Sequence, residues 1–385
     1  LRDRARVLLD HPVVRTLLFE RLLLTASATL AVAAIAMGRV EPREVPELLD
    51  LRLLALFFVL TIAVELLKDS DTFDLLVVWT VRKAKSARGL GVSLAAATAF
   101  VSALLTNDVA LLIVVPFTLQ FRSVEGLDLA PLVVLEIASA NLLGCLTPIG
   151  NPQNLFLFHA GNFTPARFFA AQAPWVGAAA LSIGALALLL LPRRPIAAPV
   201  MPRFDVHRGY AAAGLGLLTL EIAAIFDALP WWIPLAAAAG GAGLLGRRVF
   251  DADFSLVFVF AFLFVGVEGL QRGALYEALD PEQLFGHRPP GLVLSGALLS
   301  QAVSNVPAAL LLAPTVATPE GFRALLYGVN AGGCGTPISS LANLIGAQIY
   351  LREPGSSARR FWRLFTAVSA ALLTAMLLVS LALIR

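Results

Sequence analysis

Two polar tracts interrupt an apolar sequence, NLLGCLTPIGNPQNLF at 141–156 and NAGGCGTPISSLANLI at 330–345. Their chemistry is that of amides, hydroxyls and freed backbone. An Asn side chain donates and accepts, so Asn151, Asn154 and Asn343, with Thr147, Thr336, Ser339 and Ser340, suit a ligand rimmed by hydroxyls or carboxylate oxygens. The same residues can instead brace a broken helix by bonding loop backbone. Upstream lie TND at 106–108 and SNV at 304–306, which add Asn107, Ser304 and Asn305 to the same class. Asp108 is the sharpest acid: a carboxylate at the middle of a membrane costs about 2.5–3.5 kcal/mol and usually marks an ion or proton path. Its other reading is as the cap of a helix beginning at Val109. Glu136, Glu65 and Glu268 complete the acids placed in or at the ends of apolar runs, and for the last two a snorkelling, interfacial role is the competing account.

The elements that must position these residues are membrane helices. Of 385 residues 58% are hydrophobic and only 14% charged, an excess that no soluble core needs. Val13–Gly38, Leu51–Leu67, Pro174–Leu191, Tyr210–Ala228, Phe254–Leu270 and Phe361–Ile384 are each long enough to cross about 30 Å of hydrocarbon as helices. The alternating pattern of a membrane barrel is absent. The first run has no small-residue cleavage site and is expected to stay as a helix; because the sequence opens on Leu, a few residues are expected to precede it. Cys145 and Cys334 both lie in apolar segments, which supports neither a disulfide framework nor a zinc site, and His11, His159, His207 and His287 show no metal-ligand spacing. The net charge of +3 comes from loop residues and does not imply nucleic-acid binding.

The chain is written twice. Without gaps, the two polar tracts match at Asn141/Asn330, Gly144/Gly333, Cys145/Cys334, Thr147/Thr336, Pro148/Pro337, Ile149/Ile338, Asn154/Asn343 and Leu155/Leu344. LLTNDVALLIVVP (104–116) pairs with AVSNVPAALLLAP (302–314), and AVELL (63–67) with GVEGL (266–270), in the same order. The first repeat therefore occupies 1–191, with a hairpin at 90–121, a broken helix at 129–160 and a closing helix at 174–191. A linker follows at 192–209. The second half, 210–385, holds a connecting helix, a hairpin at 291–317, a broken helix at 321–351 and a closing helix at 361–384.

Loop charge orients the halves. Arg2, Arg4 and Arg6 place the N-terminus in the cytoplasm, as do Arg82, Lys83, Lys85, Arg88, Arg247 and Arg248 for their loops, and the C-terminus falls outside. Phe73–Val81 is too short to span and is expected as an interfacial helix. The first hairpin begins and ends inside, the second outside, so the repeats have inverted topology with nine full crossings and two re-entrant hairpins. Irregular backbone at that depth is tolerated only where protein buries it or water reaches it, so two tips and two breaks meeting near the midplane would enclose one site.

The TND tip, the TPIGNPQN loop and their echoes SNVP and TPISSLAN resemble the ion transporter superfamily, which includes arsenical pump membrane proteins, sodium/proton antiporters and divalent-anion/sodium symporters. The resemblance runs from about Leu51 to Arg385 and is closest to the arsenite permease branch, because divalent-anion symporters carry Ser-Asn-Thr at both tips. It implies an all-α polytopic transporter of the elevator type in a prokaryotic plasma membrane, often a homodimer, with a proton or sodium as coupling ion and no cofactor. No P-loop motif is present, so ATP coupling would need an ATPase partner. Arsenite is mostly an uncharged trihydroxide at neutral pH, and amides, hydroxyls and a single carboxylate fit it better than a dianion. The implied activity is proton-coupled arsenite or antimonite efflux; transport of small carboxylates or sodium/proton exchange is the alternative. Inverted repeats suit alternating access better than a channel, and no Ser-His dyad, metal triad or catalytic carboxylate pair suggests an enzyme.

Overall fold

The computed structural model describes residues 12–124, 127–196, 204–245, 252–273 and 288–385. Arg2, Arg4, Arg6, His11, Arg247, Arg248 and His287, and residues 197–203 of the linker, lie outside the described residues. Among the described residues sixteen α-helices of eight residues or more carry the fold: α1 Pro12–Ala36, α2 Leu51–Asp69, α3 Thr72–Val81, α4 Ala87–Leu104, α5 Asn107–Leu119, α6 Leu129–Leu143, α7 Pro152–Ala160, α8 Pro165–Leu190, α9 Arg208–Ile225, α10 Trp232–Leu245, α11 Ser255–Gln271, α12 Pro289–Val303, α13 Asn305–Leu312, α14 Pro319–Gly332, α15 Leu341–Leu351 and α16 Ala358–Leu383. There is no β-strand among the described residues. Among the described residues five helical stretches are long and apolar enough to cross a membrane, one of them α6 together with the 3-10 turn that follows it.

Local signals set the boundaries. Oxygen-bearing side chains start most of the helices that matter: Ser86, Thr106, Asp128, Thr164, Thr318 and Ser357 each accept a backbone N–H from the first turn of α4, α5, α6, α8, α14 and α16. One boundary differs from the sequence expectation. Pro174 looks like a helix start, yet α8 begins nine residues earlier, at Pro165, and runs through Pro174. Proline is tolerated inside membrane helices because neighbouring groups take over the freed backbone partners.

Packing divides the chain into two compact units, each drawn from both sequence halves. One comprises Leu1–Ser70 and Val206–Leu284, the other Asp71–Asp205 and Phe285–Arg385. In the first, α1 packs along α11 and α9 along α2. Small residues allow the close approach: a Cβ on Gly214 would lie 2.7 Å from Leu67, and one on Gly269 only 2.2 Å from Ala34. Between membrane helices lipid removes the hydrophobic drive, so close packing and polar links must supply the association.

The second unit contains both hairpins, both broken helices and both closing helices. At its centre α6 is buried around its whole circumference from Leu129 to Leu142, the pattern of a helix enclosed by other helices. The closing helices α8 and α16 are repeat equivalents and lie antiparallel: the start of α8 (Arg167) lies with the end of α16 (Leu383) and the end of α8 (Leu190) with the start of α16 (Arg359), and Trp175 of α8 donates its Nε1–H to Ser380 Oγ of α16 at 2.9 Å. Equivalent elements running in opposite directions are the signature of inverted repeats.

Candidate functional site

The site is built from the bottom up by helix interruptions. In the first repeat α4 ends at Leu104, two residues turn, and α5 starts at Asn107. Thr106, not Asp108, is the capping residue; its Oγ1 accepts from Val109 N–H, and Asp108 sits in the first turn, where the helix dipole favours a carboxylate. α6 tightens into a 3-10 turn at Gly144–Leu146, and α7 resumes at Pro152. Gly150 permits this crossing, since a Cβ there would lie 1.9 Å from the Gly144 carbonyl oxygen. The Asn107 N–H donates to the Gly150 carbonyl at 2.8 Å, locking the tip to the break.

The second repeat follows this plan with different side chains. Thr147 Oγ1 donates to the Ala103 carbonyl at 2.5 Å, and the equivalent Thr336 Oγ1 donates to the Gln301 carbonyl at 3.1 Å. Gln301, standing where the first repeat has Ala103, adds its own clamp: Nε2 donates to the Gly332 carbonyl at 2.8 Å and Oε1 accepts from Thr336 N–H at 2.8 Å. Gly335, at φ +123°, leaves room for it. At the second tip Ser304 holds φ 75° and ψ 157°, a region that residues other than glycine rarely occupy.

Asn141 is the centre of the polar links between the two repeats. Asn141 Oδ1 accepts from Asn107 Nδ2 at 3.1 Å and from Ser340 Oγ at 2.8 Å, while its Nδ2 donates to Asn343 Oδ1 at 2.7 Å. Its repeat equivalent, Asn330, accepts from Gln153 Nε2 at 3.1 Å. Each tip helix also packs against the resumed half of the other repeat's broken helix, α5 on α15 and α13 on α7. The structure thus brings together Asn107, Thr147, Asn151, Asn154, Ser304, Asn305, Thr336, Ser339 and Asn343 in one unit. Seven of these are buried, Thr147 and Thr336 being partly exposed.

Several amides are only half used. Asn151 Nδ2 donates to the Asn141 carbonyl at 3.0 Å, Asn154 Nδ2 to the Cys145 carbonyl at 3.3 Å, and Gln153 Nε2 to Asn330 Oδ1. Because the nitrogens of Asn151 and Asn154 face carbonyls, the unbonded end of each is its oxygen, and among the described residues Asn151 Oδ1 and Asn154 Oδ1 are buried without a partner; the amide pair of Gln153 and Asn330 leaves one acceptor and one donor unbonded, Gln153 Oε1 and Asn330 Nδ2. A buried unpaired acceptor costs about 1–3 kcal/mol, so the free amide ends at the start of this short helix make it a candidate contact for a bound molecule. By contrast, Asn343 and Asn107 have a protein partner at both ends of the amide.

The acids are placed differently from one another. Glu136 is fully buried in α6, receives the Thr118 hydroxyl at 2.6 Å on Oε1 and has no partner on Oε2. Glu65 and Glu268 belong to the other unit and are ion-paired at helix ends, Glu65 to Lys68 at 2.7 Å and Glu268 to Arg272 at 2.7 Å. Arg272 also reaches Glu44, whose carboxyl is held below its usual range by the Glu41 N–H and then by that guanidinium. Sequence reasoning passed over Asn141, Asn330, Gln153 and Gln301. The first two were visible as identical residues in the repeat, but the two glutamines have no counterpart across it. It also passed over Glu221, a fully buried carboxylate of α9 with neither oxygen partnered. Cys145 and Cys334 are buried free thiols, and no cluster able to hold a metal occurs among the described residues.

Comparison with known proteins agrees with this architecture. The family model described as citrate transporter matches residues 16–323. An uncharacterised transporter of Methanocaldococcus jannaschii is 30% identical over 322 residues, covering 82% of this chain and 86% of its own. The inner membrane protein YbiR of Escherichia coli is 34% identical over 79% of this chain and 78% of its own. A silicon efflux transporter of Oryza sativa is 31% identical over a shorter stretch, 34% of this chain and 28% of its own. Among solved structures, the YdaH transporter of Alcanivorax borkumensis superposes with a TM-score of 0.56 at 16% identity, covering 96% of this chain and 98% of that one, and so shares the fold. The match of the family model over most of the chain and the two long alignments place this all-helical membrane transporter in the citrate transporter family of the ion transporter superfamily.

Proposed function

We propose that the protein exports a small uncharged polyhydroxy acid, of which arsenite and antimonite are the leading candidates, in exchange for protons. One observation carries this reading: among the described residues, the amides at the α7 start whose nitrogens are committed to backbone carbonyls, Asn151 and Asn154, leave acceptor oxygens free. Such oxygens match a ligand that presents O–H donors. A carboxylate presents acceptors only, and neither 141–156 nor 330–345 contains a Lys or Arg to receive it. The rice relative is named for efflux of silicon, whose neutral acid is likewise a polyhydroxide, which supports the same class.

In this scheme the hydroxyls of the substrate lie against Asn151, Asn154, Thr147 and, from the other repeat, Ser304, Asn305, Thr336, Ser339 and Asn343. Asn107 holds the tip in register through Asn141. Asp108 carries the exchanged proton and Glu136 is the reserve acid; the ion pairs of Glu65 and Glu268 suit them to anchoring helix ends. The unit holding both hairpins would move against the other as an elevator, often within a homodimer. The family name favours a second reading, a carboxylate substrate driven by sodium or protons. Competition separates the two: arsenite or antimonite, added to purified protein, should protect it from thermal unfolding, and citrate should not. Protection by citrate alone would install the second reading.

A further inference from the structure

The unit that holds the site also contains two clefts built from equivalent parts of the two repeats. One lies where the start of α8 meets α14 and the end of α16, and is lined by Arg167, Pro174, Arg323, Tyr327 and Leu383. The other, about 860 Å³, lies where the start of α16 meets the start of α6 and the end of α8, and is lined by Asp128, Leu190, Arg359, Arg360, Arg363 and Leu364. Arg167 corresponds to Arg360, Ala170 to Arg363, Pro174 to Ala367 and Leu190 to Leu383, at one constant offset along the chain. Because α8 and α16 each begin at one cleft and end at the other, the clefts sit at opposite ends of membrane-length helices.

Both clefts carry arginines, but the balance of charge differs: the first is lined by Arg167 and Arg323 with Glu320, the second by Arg359, Arg360 and Arg363 with Asp128. Arg360 is neutralised by its ion pair with Asp128, which fastens α16 to α6. Arg359 and Arg363 are exposed and have no ion-pair partner among the described residues. The N-terminus of the 26-residue α16 adds the positive end of its dipole to the same place. Immediately beyond the arginines the lining turns apolar, with Leu190, Leu364 and Ala367, and α16 carries no further charge as far as Leu383. Arg193 and Arg194 follow the end of α8 at the same level, so loop charge assigns this end to the cytoplasmic leaflet, where anionic lipids reside.

We infer that this cleft binds the headgroup of an anionic phospholipid, with Arg359 and Arg363 on the phosphate and the acyl chains along Leu190, Leu364 and Ala367. Guanidinium groups recognise phosphate through paired N–H donors, and an apolar wall adjoining them distinguishes a lipid from a free anion. The opposite cleft, built from equivalent helices but with one arginine fewer, is the built-in control.

Native mass spectrometry of the full chain, released from nanodiscs of mixed phosphatidylglycerol and phosphatidylcholine, tests the assignment. The wild type should retain phosphatidylglycerol preferentially, and Arg359→Ala/Arg363→Ala should lower that retention about tenfold or more. Arg167→Ala should leave it unchanged, and Arg359→Lys/Arg363→Lys should keep most of it. Should the alanine variant fail to fold, the wild type alone decides: equal retention of the two lipids overturns the proposal. So does undiminished retention by a folded alanine variant. Displacement of the lipid by millimolar inorganic phosphate would also overturn it, since the cleft would then be a site for a soluble anion.

Discussion

Asn141 bonds across the repeats, whereas Asn151 and Asn154 bond within one repeat and keep a free oxygen, and this separates bracing from recognition at these positions. Asn141→Leu would strand Asn107 Nδ2, Ser340 Oγ and Asn343 Oδ1, a loss of about 3 kcal/mol or more at 1–3 kcal/mol for each stranded group. Asn154→Leu breaks the long bond to the Cys145 carbonyl and the contact with the Cys145 thiol, both within one repeat. It should cost about 1 kcal/mol of stability while weakening substrate by about 1–3 kcal/mol. Thermal unfolding with and without arsenite reads both quantities; equal stability losses with unchanged substrate protection would mean that Asn154 is bracing too. The sequence showed which residue types were present, but not which end of each amide was already committed. That depends on carbonyls set free by the helix breaks, and no pattern of residue types encodes their direction.

Hairpins and breaks were legible because Gly, Pro and Asn inside an apolar run have few other uses. Their details were less so. Thr106 and Ser304 are equivalent tip residues with similar ψ, 160° and 157°, yet opposite φ, −150° and 75°. The second tip therefore stores backbone strain on the order of 1–3 kcal/mol that the first does not. Ser304→Gly should relieve it and raise the melting temperature, whereas Ser304→Ala should keep the strain and lose only the hydroxyl. A lower melting temperature for the glycine variant would show that Ser304 Oγ, at 3.4 Å from both the Ser339 carbonyl and Asn305 Oδ1, contributes more than the strain costs. The early start of α8 was hidden by Pro174, a helix breaker in water that a membrane helix accommodates.

At the level of the whole chain, the internal repeat gave the architecture, and three-dimensional contacts regrouped it. Each compact unit takes elements from both halves, which one-dimensional periodicity cannot express. Inverted repeats make a definite statement about sidedness. Cysteines placed singly at Arg194 and Arg359 should react with an impermeant thiol reagent from the cytoplasm, and those at Asn162 and Glu320 from outside; Cys145 and Cys334 are buried and should stay silent. Labelling of the Arg359 and Glu320 positions from one side would refute the inverted arrangement.

Coupling is the central claim, and it rests on the carboxylate at the first hairpin tip, since Val306 stands where that tip has Asp108. Asp108→Asn keeps the shape and hydrogen bonding of the tip but cannot exchange a proton. The decisive measurement is arsenite accumulation by everted membrane vesicles under an imposed proton gradient. The wild type is expected to concentrate arsenite and to stop when the gradient is collapsed, while Asp108→Asn is expected to bind arsenite without concentrating it. Accumulation by Asp108→Asn at the wild-type rate, or gradient-driven movement of citrate and none of arsenite, would contradict the account.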